Sequence, residues 1–204
     1  MSLSQQIVSK ARSIGLNVDP VIETPGDGNC FYHAVIQTLS LTNRPYAKNV
    51  DELRYDVVSY VDFNRNNEIV ISYLESFLNP VGIDLENIIQ AQYRRGTYAD
   101  ELFFQAAAEK LNILILITKA DSTAAYPYTK FWPLNYRSTN IQVSQFTGTK
   151  ILLGHCNEHF QSLRLKNLED HINIHQHFLD EIPLKINLKK IDFKQILIIK
   201  TTYL

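Results

Sequence analysis

Residues 25–34 read Pro25-Gly26-Asp27-Gly28-Asn29-Cys30-Phe31-Tyr32-His33-Ala34. A glycine-bearing turn ends on a cysteine, and an apolar set at helical spacing follows at once: Phe31, Ala34, Val35 and Leu39. The pattern predicts a cysteine in the first turn of a buried helix. That placement suits a nucleophile, because the thiolate attacks and the free N–H groups and positive dipole end of a helix stabilise it. A lowered thiol pKa is the expectation. The two glycines permit backbone shapes that a Cβ resists, so that amides of the turn can converge on one point, as an oxyanion hole requires. The bland alternative is a buried cysteine at the start of a core helix, and the Gly-Asp-Gly-Asn context argues against it.

A nucleophilic cysteine needs a base within hydrogen-bond reach, at any distance in sequence. Residues 150–165 predict two short strands joined by a polar turn. His155 ends the first strand and His159 opens the second, and both are candidate bases. His33 lies one turn beyond Cys30 on the same helix, where packing or helix orientation is the better role. His171, His175 and His177 fall in a polar C-terminal helix. Their spacing would suit a metal, yet no acidic or thiol cluster completes a ligand set, so no metal site is assigned.

Two segments resemble a known family. Asp27-Gly28-Asn29-Cys30-Phe31-Tyr32-His33 closely resembles the nucleophile motif of the ovarian-tumour (OTU) family of cysteine proteases, and Glu158-His159-Phe160-Gln161-Ser162-Leu163 resembles its histidine motif. Gly96-Thr97-Tyr98-Ala99-Asp100-Glu101-Leu102, running through residues 103–111 into Ile113-Leu114-Ile115-Leu116-Ile117, is similar to the family's central helix and core strand. Order and spacing agree over about residues 18–165.

The resemblance implies an α+β, papain-like OTU fold with a central mixed or antiparallel sheet flanked by helices. It implies a deubiquitinase that cuts the isopeptide bond after the C-terminal glycine of ubiquitin, with Cys30 as nucleophile and His159, rather than His155, as base. It implies no cofactor. Asp27 matches an acidic position that shapes the oxyanion loop with Gly28 and Asn29. Tyr98, Asp100 and Glu101, with Glu158 before the histidine, are expected to flank a channel for ubiquitin's basic tail. Family members often carry Asp or Asn two residues after the histidine, to orient the imidazole, and this chain has Gln161. Strand parity puts Gln161 on the same face as His159, so it is the preferred third residue. Asp19, Glu23 or Asn157 are the alternatives. The rival functions are a non-catalytic ubiquitin-binding module and a cysteine hydrolase acting on another ubiquitin-like modifier.

Composition fits one domain over the 204 residues, with a core at about 18–165 and a C-terminal helix and strand extension at 166–204. Apolar residues make up 45% and charged ones 20%, ordinary globular values. The net charge of −1 argues against a polyanion-binding surface, so the expected partner is ubiquitin or polyubiquitin and not nucleic acid. Two cysteines make no disulfide framework, and Cys156 reads as an incidental thiol. Apolar runs at 113–117 and 196–199 are far too short to span a bilayer, and residues 1–16 hold no apolar signal core. The expectation is a cytoplasmic monomer, or one in a host cytosol if the chain is a secreted bacterial effector.

The elements that must position these residues follow from periodicity. Helices are predicted over 4–14, 51–63, 68–78, 85–93, 100–111 and 168–179, beside the one that begins at Cys30. Strands are predicted over 113–118, 128–132, 150–153 and 159–165, with a late pair in the alternating stretch 182–204. Residues 118–127 and 135–149 read as polar connections.

Overall fold

The run from Ile113 to Ile117 has no polar residue, and every member of it is buried. In the computed structural model, which describes residues 1–13, 16–19, 22–42, 44–66, 84–120, 128–137 and 146–164, this run forms β1 (Ile113–Lys119). Side chains of a strand alternate between the two faces of its sheet. Ile113, Ile115 and Ile117 join one apolar cluster, and Leu114 and Leu116 join another. A strand apolar on both faces needs cover on both, and that requirement organises the domain.

β1 is flanked by β2 (Tyr128–Phe131), antiparallel, and β3 (Thr149–Cys156), parallel. β4 (His159–Leu163) pairs antiparallel with β3, giving a mixed sheet in the order β2-β1-β3-β4 among the described residues. The larger cluster is covered by α2 (Cys30–Ser40), α3 (Val50–Asn64), α4 (Leu85–Gln92) and α5 (Glu101–Leu111). The smaller is covered by α1 (Leu3–Ser13), through Ile7 and Ala11, together with Leu16, Val18 and Phe146. Each fully buried aliphatic or aromatic side chain contributes about 1.5–3 kcal/mol relative to exposure.

Local chemistry sets the ends of the elements. Asn49 caps α3 in a reciprocal box with Glu52, each side chain accepting from the other's backbone N–H. Asp100 caps α5 through the Leu102 N–H, at 3.0 Å. Asn112, at φ 50°, ends α5 in the left-handed region and turns the chain into β1. The two residues between β3 and β4, Asn157 and Glu158, have φ 49° and 62°. Positive φ at both central residues is the form whose twist matches a two-residue hairpin. It sets Cys156 opposite His159.

The outer edge of β4 is covered from the N-terminal side. Asp19 N donates to the Arg164 carbonyl at 2.9 Å, and Ile22 bridges to Ser162 in the antiparallel sense. An edge so paired is closed to other strands. It also carries residues 22–24 alongside the start of β4.

The fold is the expected α+β architecture with a central mixed sheet. The expected elements over 4–14, 51–63, 85–93, 100–111, 113–118 and 128–132 are present with ends shifted by a residue or so. β3 is longer than the expected 150–153, because Gly154, His155 and Cys156 continue the ladder opposite Gln161, Phe160 and His159. At the start of the expected connection 135–149, Leu134–Arg137 forms a helical turn, α6. Tyr136 N donates to the Pro133 carbonyl, and its ring meets Phe146 edge-on at 4.9 Å. The helices expected at 68–78 and 168–179, the late strands and the 166–204 extension lie outside the described residues.

Gly154 faces α1, and a Cβ there would overlap the Ile7 side chain. Gly154→Ala is expected to cost about 1–3 kcal/mol through overpacking. Shortening Ile7 frees the space, so the Ile7→Ala, Gly154→Ala pair should be more stable than the two single losses summed. Urea denaturation of the four proteins checks this, and strict additivity would place α1 elsewhere.

Candidate active site

Arg54 points inward from α3 and is 3% exposed. Its guanidinium makes six hydrogen bonds. On one side it donates to the Gly28 carbonyl and the Asn29 Oδ1, both at 2.7 Å. On the other it donates to the carbonyls of Gln92, Arg94 and Thr97 and to the Gln92 amide oxygen, at 2.7–3.3 Å. The Tyr32 ring lies 4.7 Å from its central carbon, a cation–π placement. A planar fork of five N–H donors suits such convergent acceptors, whereas an ammonium does not. Arg54 thus ties the turn before Cys30 to the 92–97 segment. Gly28 sits against Gly96 with φ 78°, and a Cβ on it would collide with the Gly96 backbone. Here the glycine is required twice, for its φ and for the approach.

Asp27 completes the turn. Its carboxylate accepts from Asn29 N at 2.9 Å and lies 3.4 Å from the Asn29 side-chain nitrogen. His33 Nε2 lies 3.6 Å from the same oxygen that faces the Asn29 side chain, Oδ2. Burial pushes the Asp27 carboxyl up, but the Asn29 donors and His33 outweigh it and hold it below the usual carboxylate range. Asn29 is thus held by its N–H to Asp27 and by its Oδ1 to Arg54, and the next residue is Cys30.

Cys30 opens α2 and is 1% exposed. Its thiol faces the Glu158 carbonyl oxygen, 3.8 Å from Sγ. The lowered pKa expected from the helix terminus is not found. Burial pushes the thiol up, and the Asp27 charge adds to the rise. The amides of Phe160, Phe31 and Cys30 face the sulfur and oppose the shift without reversing it. The helix end contributes as anticipated, but desolvation of the thiolate is the larger effect.

His159 stands at the start of β4, one residue after the carbonyl that meets the thiol. Its Nε2 lies 3.3 Å from Thr24 Oγ1, on the segment along the edge of β4. Thr24 Oγ1 also donates a short hydrogen bond to the Phe160 carbonyl. His155 lays its ring against Phe160, with centroids 4.5 Å apart. Gln161 is 2% exposed, and its amide oxygen has no hydrogen-bond partner. It is not joined to His159. Asp19 lies 3.9 Å from Arg164, and Glu23 accepts from Ser4 Oγ at 3.1 Å. Asn157 serves the hairpin turn.

Of the expected tail-binding residues, Glu158 is brought to the thiol through its backbone. Tyr98 is half exposed, and its carbonyl accepts from Gln92 Nε2 at 2.6 Å. Asp100 is the cap of α5, and Glu101 pairs with Lys119 at 3.5 Å. Sequence reasoning missed Arg54 and Thr24. Leu53 and Val57, both buried on the same helix as Arg54, are the sole hint for the first. Among the described residues no group of His, Cys, Asp and Glu could hold a metal ion, and no helix is long and apolar enough to cross a membrane.

Two expectations follow. Arg54→Lys keeps the charge but not the fork, and each buried acceptor left unsatisfied costs about 1–3 kcal/mol. The variant should lose several kcal/mol in urea denaturation and expose Cys30 to faster alkylation by a bulky maleimide, while a wild-type midpoint would remove Arg54 from this role. Because burial disfavours the thiolate, iodoacetamide should modify Cys30 in a His159→Ala protein along a pH limb above the ordinary thiol range. A limb below that range would mean that the helix end prevails.

The sequence matches the family model of OTU-like cysteine proteases over residues 25–160, about two thirds of the chain. No curated protein matches it significantly. Among solved structures, a complex of ceOTUB1 with ubiquitin aldehyde and UBC13~Ub aligns at TM-score 0.54 and 14% identity, covering 80% of this chain and 86% of that one. An OTU domain in complex with ubiquitin aligns at TM-score 0.52 and 14% identity, over 78% and 86%. The viral OTU protease of Taggert virus aligns at TM-score 0.50 and 12% identity, over 74% and 81%. At such identities the likeness is one of fold. The family match, spanning both the clamped cysteine turn and the histidine that opens β4, places the chain in the OTU-like cysteine protease family.

Proposed function

We propose that this protein is a deubiquitinase, a thiol hydrolase that cleaves the isopeptide bond after the terminal glycine of ubiquitin. The observation that carries the reading is the thiol at the head of α2, on a turn held from both sides by Arg54 and Asp27, with the His159 strand lying against it. Ubiquitin is named in two of the three structural neighbours described above.

In this mechanism His159 takes the Cys30 proton as Sγ attacks the glycine carbonyl carbon. A buried, protonated thiol makes that transfer necessary, since the resting sulfur is a poor nucleophile. The carbonyl electrons move onto oxygen, and amides of the turn receive the oxyanion. The Asn29 N–H is already given to Asp27, which leaves those of Gly28 and Cys30 for this task. Collapse expels the lysine amine, which takes its proton from the imidazolium. Water, deprotonated by the same imidazole, then cleaves the thioester and restores the thiol. Residues near Tyr98 and Glu158 flank the path of the ubiquitin tail.

A panel of ubiquitin dimers tests the substrate. Wild type should cleave at least one linkage and Cys30→Ala none. An electrophilic ubiquitin probe should label Cys30, and labelling at Cys156 instead would move the nucleophile. General acid–base transfer contributes about 10²–10⁴-fold, so His159→Ala should lose at least that much and His155→Ala far less. Equal losses would transfer the base to His155. Charge reversal at Glu158 should weaken ubiquitin binding more than reversal at Asp100 or Glu101, and a null result at all three would route the tail elsewhere. Cleavage of another ubiquitin-like modifier in place of every ubiquitin dimer would overturn the substrate while sparing the chemistry.

A further inference from the structure

We propose that Thr24 is the positioning residue of the catalytic histidine, accepting a hydrogen bond from His159 Nε2–H and so leaving Nδ1 as the basic nitrogen. The inference rests on reading Cys30 and His159 as nucleophile and base.

Proton counting gives the direction of the contact. Thr24 Oγ1 approaches the Phe160 carbonyl and His159 Nε2. A carbonyl oxygen only accepts, so the single hydroxyl proton of Thr24 is committed to Phe160. What remains on Oγ1 is lone pairs, and Nε2 at 3.3 Å must therefore carry the proton. A neutral imidazole has one N–H, so Nδ1 holds the free electron pair. The hydroxyl fixes both the tautomer and the tilt of the ring. Thr24 is itself held: it is 7% exposed, and its segment is bridged to β4 at Ile22 and Ser162.

The other candidates for this task are occupied or out of reach. The Gln161 amide oxygen has no partner, although an acceptor for the ring would have one. Asp19 faces Arg164, and Glu23 accepts from Ser4. A hydroxyl differs from a carboxylate in kind. It sets the ring's orientation without adding a negative charge beside the imidazolium, so the site relies on placement more than on charge.

The test reads the histidine directly. In ¹⁵N-labelled wild-type protein, with the His159 signals assigned by their loss in His159→Gln, the neutral ring should show the Nε2–H tautomer. Thr24→Val, which keeps the shape and removes the hydroxyl, should move the ring to a mixture of tautomers and slow alkylation of Cys30 by chloroacetamide by about 10- to 100-fold, the scale of a misplaced catalytic group. Thr24→Ser should restore both to within about threefold, on the same ground. A wild-type Nδ1–H tautomer overturns the proposal, and this measurement stands even if Thr24→Val fails to fold. An unchanged tautomer and alkylation rate in a folded Thr24→Val protein overturns it too, as does Gln161→Leu producing the effects expected of Thr24→Val. None of these readouts uses ubiquitin, so a chain that ignores ubiquitin but shows the expected ring chemistry would refute the proposed substrate alone.

Discussion

A buried guanidinium with only neutral acceptors holds the candidate active site together. Arg54 has no carboxylate among its six hydrogen-bond partners; it binds backbone carbonyls and two side-chain amide oxygens. Taking a charge out of water costs several kcal/mol, and burial accordingly weakens its hold on the proton. That cost is offset because the same group satisfies acceptors that neither α3 nor the sheet could reach. The turn before Cys30 and the segment entering α5 have no ladder between them. Arg54 supplies the connection, and the contact of Gly28 with Gly96 follows from it.

The second half of the site is built on an edge. Among the described residues β4 is the outermost strand beside β3, and the stretch near Asp19 and Ile22 covers its far side. The cover seals the strand and brings a hydroxyl to the imidazole. On the near side the aromatic group Phe31, Phe104 and Phe160, with centroids 4.6–5.4 Å apart, joins α2, α5 and β4. Phe31 follows Cys30 and Phe160 follows His159, so one apolar contact sets the distance between the two segments. The apolar packing that positions the thiol also desolvates it, and the pKa rises for the same reason that the geometry is firm.

The parts of the site that were legible in the sequence are those with local signatures. Glycine, aspartate and asparagine before Cys30 announce a turn, the apolar spacing after it announces a helix, and a polar pair between two apolar runs announces the hairpin that delivers His159. What stayed hidden depends on contacts distant in sequence. An arginine in an amphipathic helix ordinarily reads as solvent-facing, and nothing near Arg54 tells that carbonyls from residues 28 and 92–97 converge on it. Parity placed Gln161 on the His159 face, yet two residues along a strand is about 6.6 Å, and Gln161 pairs opposite Gly154, the residue that faces Ile7 of α1. Thr24 escaped because a search among carboxylates and side-chain amides passes over a hydroxyl. The direction of the thiol shift was missed because helix dipoles are visible in a pattern and desolvation is not.

The separation of Cys30 from the Glu158 carbonyl, 128 residues along the chain, has a consequence during synthesis. At about 5–20 residues per second, the cysteine leaves the ribosome roughly six to twenty-five seconds before the histidine that follows Glu158. Through that interval the nascent chain carries a thiol with neither β4 nor its imidazole beside it. In the proposed mechanism the hairpin that closes the sheet is also the step that brings the base, so until then the sulfur has only the ordinary reactivity of a solvent-exposed thiol.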